Sequence, residues 1–202
     1  MTRAALPDRH LDLGCGASPR NPYRRGELHG VDIRALESTP QATFRQANAV
    51  TQPLPYDDDT FGSVSAYDFI EHVPRLLPRP DGVSTWFPFI QLMNEAWRVL
   101  APGGRFYALT PAFPSPSAFV DPTHVNIITE RTHEYFAGTA PQGRMYGFVG
   151  SFDALRVEWA VFADAQFAVL PDWRQKLRRE NRRLRKRLTH LLWEFEAVKP
   201  AR

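Results

Sequence analysis

Two glycines around a cysteine end the apolar run Leu11-Asp12-Leu13-Gly14-Cys15-Gly16, and residues without side chains let backbone and ligand approach closely. Asp32 closes the next apolar run, Gly30-Val31-Asp32-Ile33, 20 residues after Asp12. A glycine turn after one strand and a carboxylate at the tip of the next suits a nucleoside, the carboxylate accepting hydrogen bonds from the ribose hydroxyls. A dinucleotide turn would need a further glycine at position 19 for close helix packing, but Pro19 stands there, so no pyrophosphate cradle is expected. Two histidines are candidate catalytic groups. His72, in Glu71-His72, and His124, in Asp121-Pro122-Thr123-His124, have near-neutral ordinary pKa values and could take the proton of an attacking hydroxyl or amine.

The elements that must position these residues are short apolar runs bounded by turn residues, which predict strands at 9–13, 28–33, 42–46, 63–67 and 104–110. Helical spacing of Trp86, Ile90, Met93, Trp97 and Leu100 predicts a helix over 85–100, and a second is expected over 129–137. A last pair of strands is placed within 145–169. Between Gly16 and Val31 the chain is rich in Pro, Arg and Gly, so the helix that would follow the first strand must be very short or irregular. Ligands of open α/β sheets bind beyond the carboxyl ends of the strands, which sets the broken segment 111–126 over the ligand as a candidate lid.

Taken in order, these segments resemble the class I S-adenosylmethionine-dependent methyltransferases. The resemblance covers roughly residues 9–111: the glycine turn with Asp32, Asn48-Ala49, Pro53-Leu54-Pro55-Tyr56, Asp59-Thr60-Phe61, Tyr67-Asp68-Phe69-Ile70-Glu71-His72-Val73, and Glu95 to Phe106. Gly62, where the family usually has Asp, and Asn48, in place of a common Asp, are departures. The resemblance implies a Rossmann-like, doubly wound, seven-stranded and mostly parallel sheet. It implies S-adenosyl-L-methionine as cofactor, held by Asp12, Gly14, Cys15, Gly16, Asp32, Ile33, Asn48, Ala49 and Tyr67. Arg20 could pair with the methionine carboxylate through its planar guanidinium, or be a solvated surface residue. Tyr67 and His72 are expected to line the methyl side, and His124 either to act as base or to order its loop through Asp121 or a backbone carbonyl. Glu71 is expected to be satisfied by helix N-terminal amides. Asp68, His72, Asp121 and His124 offer metal-ligand types but no tight ligand spacing, so no metal is expected.

A chain of 202 residues with 43% hydrophobic content suits one compact domain and an appendage, drawn here as 1–170 and 171–202. A single cysteine excludes an internal disulfide, and with no leader or membrane-length apolar run the expected setting is the cytoplasm. The net charge of +3 hides an asymmetry, because nine bases and two acids fall between Asp172 and His190 and leave the rest acidic. Leu177, Leu184, Leu188, Leu191, Phe195 and Val198 space like a coiled-coil seam with Asn181 at a heptad position, predicting a basic amphipathic helical tail. Such a tail suits homo-oligomerisation or packing on the body first, peripheral contact with an anionic membrane second and nucleic acid third. Methyl transfer to a hydroxyl or amine of a small-molecule or saccharide acceptor, as in surface-polysaccharide modification, is the expected function. The alternatives are an RNA methyltransferase, disfavoured by the acidic body, and a non-catalytic scaffold subunit; nucleic acid is not an expected partner.

Overall fold

A computed structural model describes residues 5–170, 172–185 and 187–200. The strands of its main sheet are β1 (Arg9–Leu13), β2 (Glu27–Asp32), β3 (Thr43–Gln46), β4 (Phe61–Tyr67), β5 (Leu100–Pro111), β6 (Phe152–Ala160) and β7 (His190–Ala197), and a separate small hairpin pairs Leu77–Pro78 with Thr85–Trp86. The main sheet is seven-stranded, in the order β3-β2-β1-β4-β5-β7-β6. Pairings from β3 through β5 are parallel, and β7 runs antiparallel to both its neighbours. The winding reverses between β1 and β4, and the crevice at their carboxyl ends is where such sheets bind ligands.

One face carries the main core. Helix α1 (Pro88–Val99) presents Leu92, Met93, Ala96 and Val99, all fully buried, to Val64, Phe106 and Ala108 of the sheet. Pro88 suits its first turn, where an N–H would have no partner. Phe136, Phe148, Phe152, Trp193 and Phe195 extend the core with ring centroids 5.3 to 6.4 Å apart. Only a four-residue 3₁₀ turn, Thr132–Tyr135, occupies the segment expected to be helical at 129–137.

The opposite face has no helix between β1 and β2, as the composition of that segment predicts. Tyr23 fills the space instead, packing edge-on against Tyr107 at 6.0 Å and donating to Glu194 at 2.7 Å. Arg25 fastens the same segment through bonds to Ser63 Oγ and to the carbonyls of Pro7 and Gly62. A Cβ on Gly62 would lie 2.1 Å from the Pro7 carbonyl and 2.6 Å from Arg25 Cζ, which gives this departure from the family pattern a steric reason.

The tail departs most from expectation. After the short helix α2 (Ser117–Val120), helix α3 (Trp173–Leu184) forms, with Asp172 and Gln175 in a reciprocal capping box, but it stops at Leu184. Leu191 and Phe195 belong to β7, so the proposed seam does not exist, and Asn181 is exposed. The physical reason is the contiguous run Leu191-Leu192-Trp193. A helix with one apolar face cannot bury three successive side chains, whereas a strand covered on both faces can. The last strands are therefore β6, within 145–169, and β7 beyond it, and the appendage boundary at 170/171 cuts through the sheet's order of assembly.

Candidate functional site

The site begins at the turn between β1 and β2. Gly14 and Gly16 have φ of 63° and 58°, values that side-chain-bearing residues rarely adopt. A Cβ on Gly14 would lie 2.3 Å from the Phe69 ring. The turn's amides point into the protein, correcting any picture of them as ligand donors. Gly14 and Cys15 donate to the Val31 carbonyl at 2.9 and 3.3 Å, and Gly16 donates to Asp32 Oδ2 at 2.9 Å. The glycines therefore contribute close approach, which suits a ligand without phosphate.

Asp32 ends β2 beside this turn. It accepts from the Arg34 amide and Nε at Oδ1 and from Arg34 Nη2 at Oδ2, and these bonds hold its pKa down at about 2. The Arg34 side chain is itself 64% exposed and free to move aside. Ile33 is an exposed apolar residue on the same rim. Asn48 Oδ1 accepts from the Val50 amide, closing a turn that buries Ala49. Asp12 lies beneath the turn rather than on its wall: it is buried, and its oxygens accept from the Arg20 amide at 2.8 Å and Ser65 Oγ at 2.6 Å. Burial pushes its pKa up to about 7. Cys15 is buried against Gly30, and its thiol is pushed up to about 12, so it is a space-filling residue and no nucleophile.

Arg20 stacks its guanidinium on Tyr67 and Phe162, 4.9 and 5.2 Å from their ring centroids. The Tyr67 hydroxyl donates to the Gln166 carbonyl at 2.8 Å, so Tyr67 offers the crevice a ring face. Asp68 follows with φ of 45° and meets His190 Nε2 at 3.1 Å, a pair that sequence spacing could not reveal because His190 enters from β7.

His72 and His124 do come together. Their ring centroids are 4.8 Å apart, with the rings near perpendicular. The amides of Val125 and Asn126 both donate to the Glu71 carbonyl, docking the 121–126 loop onto the turn after β4. His124 Nδ1 is 3.2 Å from the Ala118 carbonyl, and its Nε2 lies 4.0 Å from Glu71 Oε1. Glu71 Oε2 accepts from Thr110 Oγ1 at 2.9 Å, and burial pushes the Glu71 pKa up to about 7. A cavity of about 730 Å³ is walled by Arg75, Phe87, Ile127, Arg131, Tyr135 and Tyr146; Arg75, which bonds Asn126 Oδ1 at 2.6 Å, links its wall to the 121–126 loop, and neither histidine lines it.

Sequence comparison matches residues 11–108 to the methyltransferase domain family. The fold is that of the S-adenosylmethionine-dependent methyltransferases. Among solved structures, the Haloferax volcanii complex of the Trm112 methyltransferase activator and a methyltransferase aligns with 98% of this chain and 86% of its own at 17% identity and TM-score 0.57. A SAM-dependent methyltransferase from Archaeoglobus fulgidus aligns over 96% of this chain and 86% of its own, at 16% identity and TM-score 0.53. Haemonchus contortus phosphoethanolamine N-methyltransferase 2, solved with S-adenosyl-L-methionine, covers 98% of this chain over half its own length, at 18% identity and TM-score 0.55. At such identities the likeness is one of fold. No curated protein sequence matches significantly.

Proposed function

We propose that this methyltransferase binds S-adenosyl-L-methionine in the crevice between β1 and β4 and transfers its methyl group to a hydroxyl or amine of a small-molecule or saccharide acceptor. The observation that carries the proposal is the Gly16–Asp32 bond joining the carboxyl ends of β1 and β2 beside the switch point, with an aromatic face at Tyr67 and two histidines following β4 and β5. Ribose hydroxyls would replace the Arg34 side chain on Asp32, while adenine would lie along Ile33 and Asn48-Ala49. Arg20 and Tyr67 would meet the methionyl end. The fold and Asp32 would also accommodate a bound nucleoside without turnover, so the histidines distinguish an enzyme from a scaffold.

Methyl transfer from a sulfonium is an in-line displacement. The acceptor–carbon bond forms as the sulfur–carbon bond breaks, the electron pair stays on sulfur, and a neutral nucleophile releases a proton. His124 Nε2, whose lone pair is left free by the Nδ1 bond to Ala118, would receive that proton. The neighbouring cavity, with stacked Tyr135 and Tyr146 and two arginines, suits the flat apolar face and polar rim of a sugar ring. Incubation with methyl-labelled donor and a panel of saccharide, small amine and RNA acceptors tests this reading. Label in a saccharide or small acceptor, lost in His124→Ala, is expected; label in RNA alone would move the function to the alternative.

On α3, Trp173, Leu177 and Leu184 are 66%, 62% and 77% exposed along one face and are flanked by arginines. That stripe supports a proposed peripheral contact with an anionic lipid surface, which would bring the enzyme to membrane-bound glycans. Among the described residues no helix is long and apolar enough to cross a membrane.

A further inference from the structure

Glu71, His72 and His124 each offer one ligand atom, and these atoms all lie within 4.8 Å of one another. We propose that these three side chains form a binding site for a first-row divalent transition cation. Adjacent Glu71 and His72 and a histidine 52 residues later have no ligand spacing in sequence; docking the 121–126 loop onto the Glu71 carbonyl creates the cluster.

Four features point to a cation rather than to ordinary packing. Glu71 is 1% exposed, and its Oε1 has no hydrogen-bond partner among the described residues, with His124 Nε2 4.0 Å away. A buried carboxylate oxygen left unbonded is costly, and a ligated ion removes that cost. Both rings are also held in a ligating tautomer. His124 Nδ1 donates to the Ala118 carbonyl, and His72 Nδ1 faces the Thr123 carbonyl at 3.3 Å and Thr123 Oγ1 at 2.9 Å, so each Nε2 keeps its lone pair. Thr123 Oγ1 donates in turn to Asp121 Oδ1 at 2.6 Å, forming the carboxylate-backed support that metal-bound histidines commonly have. Finally, Asp68 and Asp121 both interact electrostatically with Glu71, adding negative charge around the cluster.

Two imidazoles and one carboxylate suit Zn²⁺, Co²⁺, Mn²⁺ or Fe²⁺ better than Mg²⁺ or Ca²⁺, which prefer oxygen ligands. Ligand atoms of a tetrahedral site stand roughly 3.4 Å apart for bonds of about 2.1 Å, so the cluster must close by about an ångström. Part-exposed His72 can supply that movement on its own side, while Glu71 and His124, 4.0 Å apart, must approach by roughly 0.6 Å. The existence of the site rests on its own geometry, while its role rests on the methyl-transfer reading. There, with His124 Nε2 ligating the cation in place of acting as base, the cation would hold an acceptor hydroxyl oxygen whose proton passes to water as the oxygen–methyl bond forms and the sulfur–methyl bond breaks.

The test is calorimetric titration of the chelator-treated full chain with Zn²⁺, together with the visible d–d absorption of added Co²⁺. One bound cation per chain is expected, with affinity weakened at least ~10-fold in His72→Ala and in Glu71→Gln. The Gln variant keeps the acceptor for Thr110 and guards against misfolding. His133→Ala, remote from the cluster, should titrate like wild type. Absence of saturable binding in the wild type, or equal binding by the His72→Ala/His124→Ala double variant, overturns the site. S-adenosylmethionine affinity measured on the same samples separates this outcome from failure of the methyl-transfer reading: cation bound without cofactor sinks the latter alone.

Discussion

Asp32 is the residue on which cofactor affinity should turn. Hydrogen bonds to a charged group are worth about 1.5–3 kcal/mol, so Asp32→Asn should weaken S-adenosylmethionine binding by roughly 10- to 100-fold in titration calorimetry. Arg34→Gln should change it by less than about 3-fold, because the Arg34 side chain leaves the carboxylate when ribose arrives. Asp32 also predicts an acid-side stability profile. Bonding to Arg34 and Gly16 holds its folded pKa at about 2, below the ordinary 3.8, so its contribution is present above pH ~4 and is lost as pH falls toward 2. The difference in urea midpoint between wild type and Asp32→Asn should therefore be full at pH 5 and shrink steadily below about pH 4. A constant difference down to pH 2.5 would mean that the ion pair does not lower the Asp32 pKa.

At the scale of elements, β7 separates an inserted strand from an appended helix. Phe195 is fully buried in the sheet, and Phe195→Ala should cost about 3–5 kcal/mol in chemical unfolding. Leu177→Ala, on the exposed face of α3, should stay within about 0.5 kcal/mol. A coiled-coil seam would penalise both alike. The first five strands were legible in the sequence because each is a short apolar run between turn residues, and Asp32 was legible because it ends one of them. Neither β7 nor the true partners of the site could be read that way. Its leucines also satisfy a heptad, and only the neighbouring strands β5 and β6 decide the period in favour of a strand. Glu71 was visible as a residue, but Thr110 on β5 and His124 beyond it reach it through tertiary folding. Likewise, the reason for Gly62 lies in Arg25 and Pro7, distant in sequence and adjacent in space.

For the whole molecule, charge is distributed unevenly but not freely. Arg179 pairs with Glu158 at 2.6 Å and Arg182 with Asp164, so part of the basic character of α3 is spent on the body. The remaining bases flank the exposed stripe of Trp173, Leu177 and Leu184. Sedimentation with anionic phosphatidylglycerol vesicles should therefore capture the protein at low salt and release it as salt rises. Trp173→Asp with Leu177→Asp should weaken capture by about 10-fold, and capture unaffected by these changes would place the contact elsewhere. Every functional statement, from the acceptor cavity to the membrane stripe, presupposes that the crevice between β1 and β4 holds an adenosyl sulfonium. Calorimetric titration of the purified chain with S-adenosylmethionine, with NAD as competitor, tests this most directly. Saturable binding of one S-adenosylmethionine per chain, undisturbed by NAD and weakened in Asp32→Asn, is the predicted result; no saturable heat, or displacement by NAD, would contradict it.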